Sequence, residues 1–302
     1  MAGKPKKRRT PRKAPPRPGT RRPKPRRHTR VEPGVREAPS SASLWSDAVD
    51  SAGEVAELGD GRVRLNAWIA RCGVASRRGA DELIREGRVR VNDEITTSLG
   101  TRIDPLHDQV EVDGDAVRPE KPVYVVLHKP TGVVCTNARN EQKTRAIDLV
   151  ERVKGRLFPV GRLDVDSEGL LILTNDGRFA ERLMHPRYGV PKTYEVTIRG
   201  RIEQQSLEKA RGGVWLAEGK TRGALIRVKR RGRERSFLEV MIREGKNREV
   251  RRIFARLGYP VLRLKRSRIG PLTIRGLGKG KFRFLTPTEV RALLESATTS
   301  SA

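Results

Sequence analysis

Residues Val160–Asp176 read VGRLDVDSEGLLILTND. One acidic residue, Asp164, follows directly on Gly161-Arg162-Leu163, and the run Leu170-Leu171-Ile172-Leu173-Thr174 behind it is apolar enough to be a buried strand. A carboxylate at the mouth of a buried strand is held rigidly and partly desolvated, which is the setting a catalytic carboxylate needs. An isolated G-x-x-D before a strand is more often an ordinary polar turn, so the surrounding segments decide between the two. Asp164-x-Asp166-x-Glu168-Gly169 imitates the opening of a calcium loop. Its twelfth position is Asn175 where Glu is required, and the flanks are strand-like, so no metal is expected.

Working outward, the 302 residues carry a net charge of +29, which calls for a polyanionic partner, nucleic acid first. Residues 1–30 hold fourteen Lys or Arg, seven Pro and no acid. Such a composition cannot bury a core, and 1–38 are expected to be a disordered basic tail on RNA phosphate. Lys4–Arg9 would also pass for a nuclear localisation signal, but a basic arm on RNA needs the same residues. Residues 39–61 read as an acidic linker, with Asp47, Asp50, Glu54, Glu57 and Asp60. Cys72 and Cys135 form no pairing pattern and the four histidines share no metal-ligand spacing. With no apolar run near ~18 residues and no leader-like h-region, a cytoplasmic protein that meets no membrane is expected.

The first folded unit is expected over 62–118. Leu65, Trp68, Ile69 and Cys72 fall on one helix face, Gly73 ends that helix, and Ser76 is placed to cap a second one carrying Ala80, Leu83 and Ile84. Arg77 and Arg78 lie in its first turn, where the macrodipole disfavours cations; a bound phosphate would reverse that cost. Val89, Val91 and Ile95 then suggest short strands, and Gln109–Asp115 ends in a hairpin-like turn. This unit resembles the S4 RNA-binding domain, an αL-type fold, over Arg64–Asp93. The resemblance implies that Ser76, Arg77 and Arg78 lie on RNA backbone.

After the linker Arg118–Pro122 a second domain is expected over 123–292, followed by a disordered tail at 293–302. Its strands are predicted at Val123–Leu127, Val133–Thr136, Leu170–Thr174, Tyr194–Ile198, Ala224–Val228 and Phe237–Ile242, with helices at 177–184 and 247–257. Without regular βαβ alternation this is α+β with a mixed, mostly antiparallel sheet. In the helix of Glu244–Gly258 the stripe Val250, Ile253, Phe254, Leu257 faces the core. Arg251 lies on its border and can reach a carboxylate, while Arg248 and Arg252 point away towards RNA. Leu262 and Leu264 are expected to share one strand face, with Leu264 able to floor a pocket, and Tyr194 could wall a flat ligand. Gly276-Leu-Gly-Lys-Gly280 follows no strong strand and no G-x-x-x-x-G-K-[ST] loop occurs, so side chains alone must do the chemistry and no cofactor is expected.

Together these segments resemble the pseudouridine synthases of the RsuA/RluB branch, and within it the RluB-like 23S rRNA enzymes. The matching pieces run in family order: the S4 unit, His128-Lys-Pro-Thr-Gly132, Gly161-Arg-Leu-Asp164 to Gly177, Met184-His-Pro, Lys192-Thr-Tyr-Glu-Val196, Glu244–Arg251 and Leu264–Gly270. The resemblance implies Asp164 as the essential aspartate, Arg251 as its ion-pair partner and Tyr194 stacked on the target base. Leu264 and Leu163 would line the substrate pocket, with Arg162 filling the space of the flipped base. Lys129, Lys246, Arg248, Arg252 and Arg266 are the expected RNA-binding cations. It implies a monomer with ribosomal RNA as partner. A 16S enzyme, a non-catalytic S4 assembly factor and an S4-linked methyltransferase are the rivals. The intact Asp164, Tyr194 and Arg251 speak against the second, and the missing cofactor loop against the third.

Overall fold

The computed structural model describes Met1, residues 61–138 and residues 140–298. The basic tail at 1–38 and the acidic linker at 39–61, Met1 and Gly61 apart, lie outside the described residues.

β1 (Val63–Arg64) leads directly into α1 (Leu65–Arg71), which buries Leu65, Trp68 and Ile69 as their spacing demands. Gly73, at φ +78°, ends it in a left-handed conformation that costs glycine little. Ser76 caps α2 (Arg77–Arg85), its Oγ accepting the Gly79 N–H at 2.9 Å. β2 (Val89–Val91), β3 (Glu94–Ile95), β5 (Val110–Val112) and β6 (Asp115–Ala116) make a small antiparallel sheet ordered β3-β2-β5-β6, and β4 (Arg102–Ile103) pairs with β1. Asn92 and Asp93 turn between β2 and β3 with both φ positive, the shape of a two-residue hairpin turn. Leu65, Ile69, Ala80, Ile84, Val89 and Ile103 close a core of their own.

The second domain begins with β7 (Tyr124–Lys129), β8 (Phe158–Val160), β9 (Glu168–Thr174), α3 (Gly177–Met184), β10 (Lys192–Arg199) and α4 (Gln204–Gly212). The hairpin β11 (Trp215–Leu216) and β12 (Gly219–Lys220), β13 (Leu225–Arg231), β14 (Arg235–Ile242), α5 (Glu249–Arg256) and β15 (Val261–Ile269) follow. β16 (Leu272–Thr273), β17 (Phe282–Phe284) and α6 (Pro287–Thr298) complete it. The large sheet runs β13-β14-β10-β15-β9-β7-β17, with β8 beside β9 and β16 beside β15. Among the described residues only β9 and β15 pair in parallel, so the sheet is mixed and mostly antiparallel. β9 is buried on both faces, which is why Leu170–Leu173 read as a continuous apolar run. Leu171 and Leu173 join a core with Val250, Ile253 and Phe254 of α5. Leu170 and Ile172 join a second one with Phe179 of α3 and Leu293 of α6.

Two local features set the register around the β8–β9 loop. Gly169 has φ +121°, and a Cβ there would lie 2.3 Å from the Arg266 carbonyl oxygen, so only glycine lets β9 approach β15 this closely. β15 also carries two bulges: Tyr194 pairs with Arg266 while Thr193 pairs with Arg268, and Thr197 pairs with Arg263 while Ile198 pairs with Val261. Bulges re-aim side chains beside functional sites. The second one corrects an expectation. Leu262 and Leu264 do not share a face, because the extra residue breaks the two-residue alternation; Leu262 is exposed and Leu264 buried.

Two further expectations are corrected. Val133–Thr136 forms no strand, only a single bridge from Val134 to Arg145, because the segment packs as an irregular loop against the β8–β9 connection. Residues 293–298 of the expected tail belong to α6, and 299–302 lie outside the described residues: Val290, Leu293 and Ala297 are fully buried at helical spacing, and such a stripe against the sheet is enough to order a helix. α4 is a helix that the sequence patterns above do not single out. Among the described residues, no helix is long and apolar enough to cross a membrane.

Candidate active site

Asp164 sits in the seven-residue loop that joins β8 to β9. Three anchors fix it. Leu163 is buried beneath the loop, the Ser167 N–H donates back to the Asp164 carbonyl at 3.0 Å, and the Gly132 N–H donates to the Val165 carbonyl at 2.7 Å. The Asp164 side chain is left 27% exposed, so its carboxylate is aimed but reachable.

Two arginines meet this loop. Arg251, on the first turn of α5, is 12% exposed in its side chain. Its Nη2 donates to the Asp166 carbonyl at 3.0 Å and to Ser167 Oγ at 3.1 Å, and its Nη1 donates to the Val261 carbonyl at 3.2 Å. Its Nε has no hydrogen-bond partner and lies 4.0 Å from Asp164 Oδ2. Burial, ahead of the Arg248 charge, lowers the pKa of this guanidinium, and the Asp166 and Asp164 charges oppose that. Arg248 comes closer: its Nη1 is 3.3 Å from Asp164 Oδ2, and it forks onto Asp166 at 3.2 and 3.0 Å. Burial pushes the Asp166 carboxyl up, but the Arg248 hydrogen bonds and the Arg251 charge outweigh it and hold it below its ordinary value.

Arg248 does not occupy the helix face expected of it, though its side chain stays exposed. Arg248 is not in the helix; it is the residue before it, at φ +47° and ψ +32°. A helical projection does not apply to a left-handed residue, and that conformation turns the side chain back over the loop. A non-glycine residue there stores about 1 kcal/mol of strain, which the fork onto Asp166 offsets.

Asp164 lies on the wall of a cleft of about 470 Å³, a size suited to one small ligand. Arg162 and Leu163 line it from the loop, Lys192 and Tyr194 from β10, Leu264 and Arg266 from β15, and Glu244 through Val250 from the start of α5. Lys192 and Tyr194 are two residues apart and so share a strand face, and Tyr194 pairs directly across to Arg266. Thus Asp164, Arg251, Tyr194, Leu163, Leu264 and Arg162 are gathered at one place, Arg162 exposed at the rim.

Of the expected RNA-binding cations, several sit elsewhere. Lys129 is fully buried: its Nζ donates to the Val133 carbonyl at 2.7 Å and the Pro130 carbonyl at 3.0 Å, and burial lowers its pKa. It braces the loop against which the Asp164 segment packs and cannot reach RNA. Arg266 is 4% exposed, with its Nε donating to the Leu170 carbonyl at 2.7 Å; it belongs to the cleft and not to the surface. Arg252 is held by a forked pair with Glu218 at 2.7 and 2.6 Å. Lys246 lines the cleft, 3.5 Å from Glu244 Oε2 and donating to the Lys220 carbonyl at 3.0 Å. In the first domain, Arg77 and Arg78 are exposed beside the Ser76 cap.

Three groups of the cleft have no role in the sequence patterns above. Glu249 is 3% exposed and its carboxyl is pushed up to about 8 by burial, then by a hydrogen bond and the charge of Glu244. Burial raises Glu244 too, yet bonds from Glu249 and the Arg222 N–H hold it low, so the pair keeps one proton, on Glu249. Lys192 is brought down to about 8 by burial, then by the Arg266 charge. The i, i+2 spacing of Lys192 from Tyr194 was the available signal. Among the described residues no group of three or more His, Cys, Asp or Glu is placed to share a metal ion.

A family model described as RNA pseudouridylate synthase matches residues 123–256, and one for the S4 domain matches residues 63–110. The ribosomal large subunit pseudouridine synthase B of Bacillus subtilis is 43% identical over 232 residues, spanning 76% of this chain and 95% of that protein. The chain belongs to the RNA pseudouridine synthases. An RNA pseudouridine synthase of Aquifex aeolicus is 41% identical over 78% of this chain and 94% of its own length. The crystal structure of a pseudouridylate synthase overlays with a TM-score of 0.55 at 30% identity, covering 76% of this chain and 99% of the other. This pseudouridine synthase is therefore an isomerase acting on RNA, preceded by an S4 RNA-binding domain.

Proposed function

We propose that this synthase converts one uridine of 23S rRNA to pseudouridine, with Asp164 as the essential carboxylate. The observation that carries this reading is a reachable carboxylate, flanked by two guanidinium groups, on the wall of a nucleoside-sized cleft that also holds Tyr194 and Leu264. The choice of 23S rests on the large-subunit synthases of Bacillus subtilis and Pseudomonas aeruginosa, the latter 38% identical over 77% of this chain.

The reaction breaks the C1′–N1 bond, turns the uracil and joins C5 to C1′; a proton leaves C5 and one arrives at N1. Nothing is oxidised or reduced. Attack on C1′ and removal of the C2′ proton both require the Asp164 anion, and Arg251 and Arg248 stabilise it in a partly desolvated site. A uridine in folded RNA has to be flipped out to reach the cleft. Tyr194 would stack on the base and Leu264 would give it an apolar surface to turn against, while Arg162 at the rim would occupy the vacated stack. Tyr194 would also carry the C5 proton away. The exposed Arg77 and Arg78 beside the α2 cap supply RNA backbone contacts. The synthase acts as a monomer, in the cytoplasm with its ribosomal RNA.

RNA carrying tritium at uridine C5 tests the chemistry, since each turnover releases the label to water. The wild-type protein should release it and Asp164→Asn should not, with RNA affinity within a few-fold. Undiminished release by Asp164→Asn would remove Asp164 from this role.

A further inference from the structure

Among the described residues, Trp215 is the one exposed Phe, Tyr or Trp, with 68% of its surface open. It stands in the β11–β12 hairpin, beside a shallow hollow of about 530 Å³ that Leu216, Ala217, Arg252, Ala255 and Arg256 line with it. A single exposed apolar side chain is ordinary in a folded protein. This one, however, is carried by a hairpin fastened to the segment that builds the cleft. Lys246 Nζ donates to the Lys220 carbonyl at 3.0 Å, the Arg222 N–H donates to Glu244 Oε1 at 2.6 Å, and Arg252 forks onto Glu218 at 2.7 and 2.6 Å. Lys246 and Glu244 line the cleft itself. At the base of the hairpin Gly213 has φ +90°, and a Cβ there would overlap the Thr221 carbonyl oxygen; next to it the Val214 N–H donates to Thr221 Oγ1 at 3.0 Å. The indole is held firmly beside the cleft without being buried.

The surroundings of the indole are cationic. Trp215 pairs with Lys220 across the hairpin, so the two side chains stand on one side of the ladder. Arg256, also exposed, lines the hollow from α5. Arg252 is answered by Glu218, which leaves Lys220 and Arg256 for a ligand. A flat aromatic face flanked by cations is how proteins hold unpaired nucleic acid: a base stacks on the ring and the cations take the phosphates. The same cations turn other occupants away. The basic tail at 1–30, which has no acid, and a second copy of this chain at +29 are both repelled. We propose that Trp215 stacks on an unpaired base of the RNA substrate close to the target uridine, with Lys220 and Arg256 on the adjoining phosphates. The nearness to the target rests on the Asp164 cleft being the reaction site.

Such a stack would help the uridine leave its helix. A nucleotide that flips out takes a stacking partner from its neighbours. An indole outside the cleft gives one neighbour a replacement face, and does so equally before and after the chemical step. Loss of Trp215 should therefore appear in KM, with kcat nearly kept. The stack would also favour RNA whose flank is single-stranded, because a base inside a closed duplex has no free face to offer.

The test uses the full-length protein and a synthetic RNA spanning the mapped uridine, intact or made abasic at each flanking nucleotide in turn. Trp215→Ala should bind the intact RNA about ten-fold more weakly and raise KM alike, with kcat within about two-fold, the loss expected when one base loses its aromatic platform. Its melting temperature should match wild type, since the side chain is exposed. Trp215→Phe should restore most of the binding, and Trp215→Leu, apolar but not flat, should not. At one flanking position the abasic RNA should weaken binding to wild type by the same factor and weaken Trp215→Ala no further, the coupling of two groups in contact. Abasic losses equal in wild type and Trp215→Ala at every position would overturn the stack, as would wild-type affinity in Trp215→Leu. Asp164→Asn should lose turnover and keep the dependence of binding on Trp215. Full turnover by Asp164→Asn would strike the reaction site, and with it the nearness of Trp215 to the target, whatever the abasic series shows.

Discussion

The two ends of the cleft handle charge in opposite ways. Around Asp164 the charges are paired: Asp164 and Asp166 face Arg248 and Arg251, and two of the three bonds from Arg251 end on loop atoms. Around Lys192, Glu249 and Arg266 burial works against charge: the Glu249 carboxyl keeps a proton beside Glu244, and the Lys192 ammonium is lowered beside Arg266. Pairing fixes a geometry that must not change during turnover, namely the carboxylate and its loop. Where burial outweighs pairing, charge is suppressed instead, as the raised Glu249 carboxyl and the lowered Lys192 ammonium show. The same short segment, Glu244–Arg251, serves both ends, because Arg248 turns towards one and Glu249 towards the other.

The largest effects are expected at the paired end. Asp164→Asn should lower turnover by on the order of 10⁴-fold or more, as removal of an essential side chain does, with little change in melting temperature. A milder loss would mean that the carboxylate assists and does not act. Arg251→Met should cost about 10²-fold in kcat and also destabilise the fold. It leaves the Asp166 and Val261 carbonyls and Ser167 Oγ without a donor, at roughly 1–3 kcal/mol for each buried group. If thermal melts of Arg251→Met match wild type, the guanidinium does not hold the loop.

The Glu249 end responds to pH. The Glu249 carboxyl is raised to about 8 in the folded protein, so between its unfolded value and about 8 the folded state binds a proton that the unfolded chain does not. Stability from this group is therefore complete at acid pH and declines as pH rises through that window. Glu249→Gln, which stays neutral, should flatten the fall in melting temperature between about pH 5 and pH 8. An unchanged slope would mean that the carboxyl is ionised in the fold. The smallest effect is expected away from the cleft. Arg77→Ala with Arg78→Ala should weaken RNA binding several-fold and lower the salt slope by about two, leaving kcat alone. A kcat defect with normal affinity would contradict RNA binding by the α2 end.

How much of this was legible in the sequence depends on the kind of signal. Asp164 at the mouth of a buried strand, the Ser76 cap and the inward reach of Arg251 follow from local pattern, and the structure places each accordingly. Arg248 was misplaced because a left-handed residue before a helix has no signature when it is not glycine. Lys129 and Arg266 were read as surface cations because Lys and Arg are rarely buried; what buries them is long-range, the carbonyls of Val133 and Leu170. The shared face expected of Leu262 and Leu264 fails because bulges are invisible to a two-residue period. The α6 stripe was overlooked for its weak amphipathy, though Val290, Leu293 and Ala297 were in plain order.

The central claim is that Asp164 in this cleft modifies one uridine of the large-subunit RNA. Carbodiimide mapping of pseudouridine in rRNA tests it, comparing cells that lack the protein with cells restored by the wild-type chain or by Asp164→Asn. The account predicts one 23S stop that disappears with the protein, returns with wild type and stays absent with Asp164→Asn. A 16S stop would keep the chemistry and overturn the substrate; a stop restored by Asp164→Asn, or none lost at all, would contradict the account.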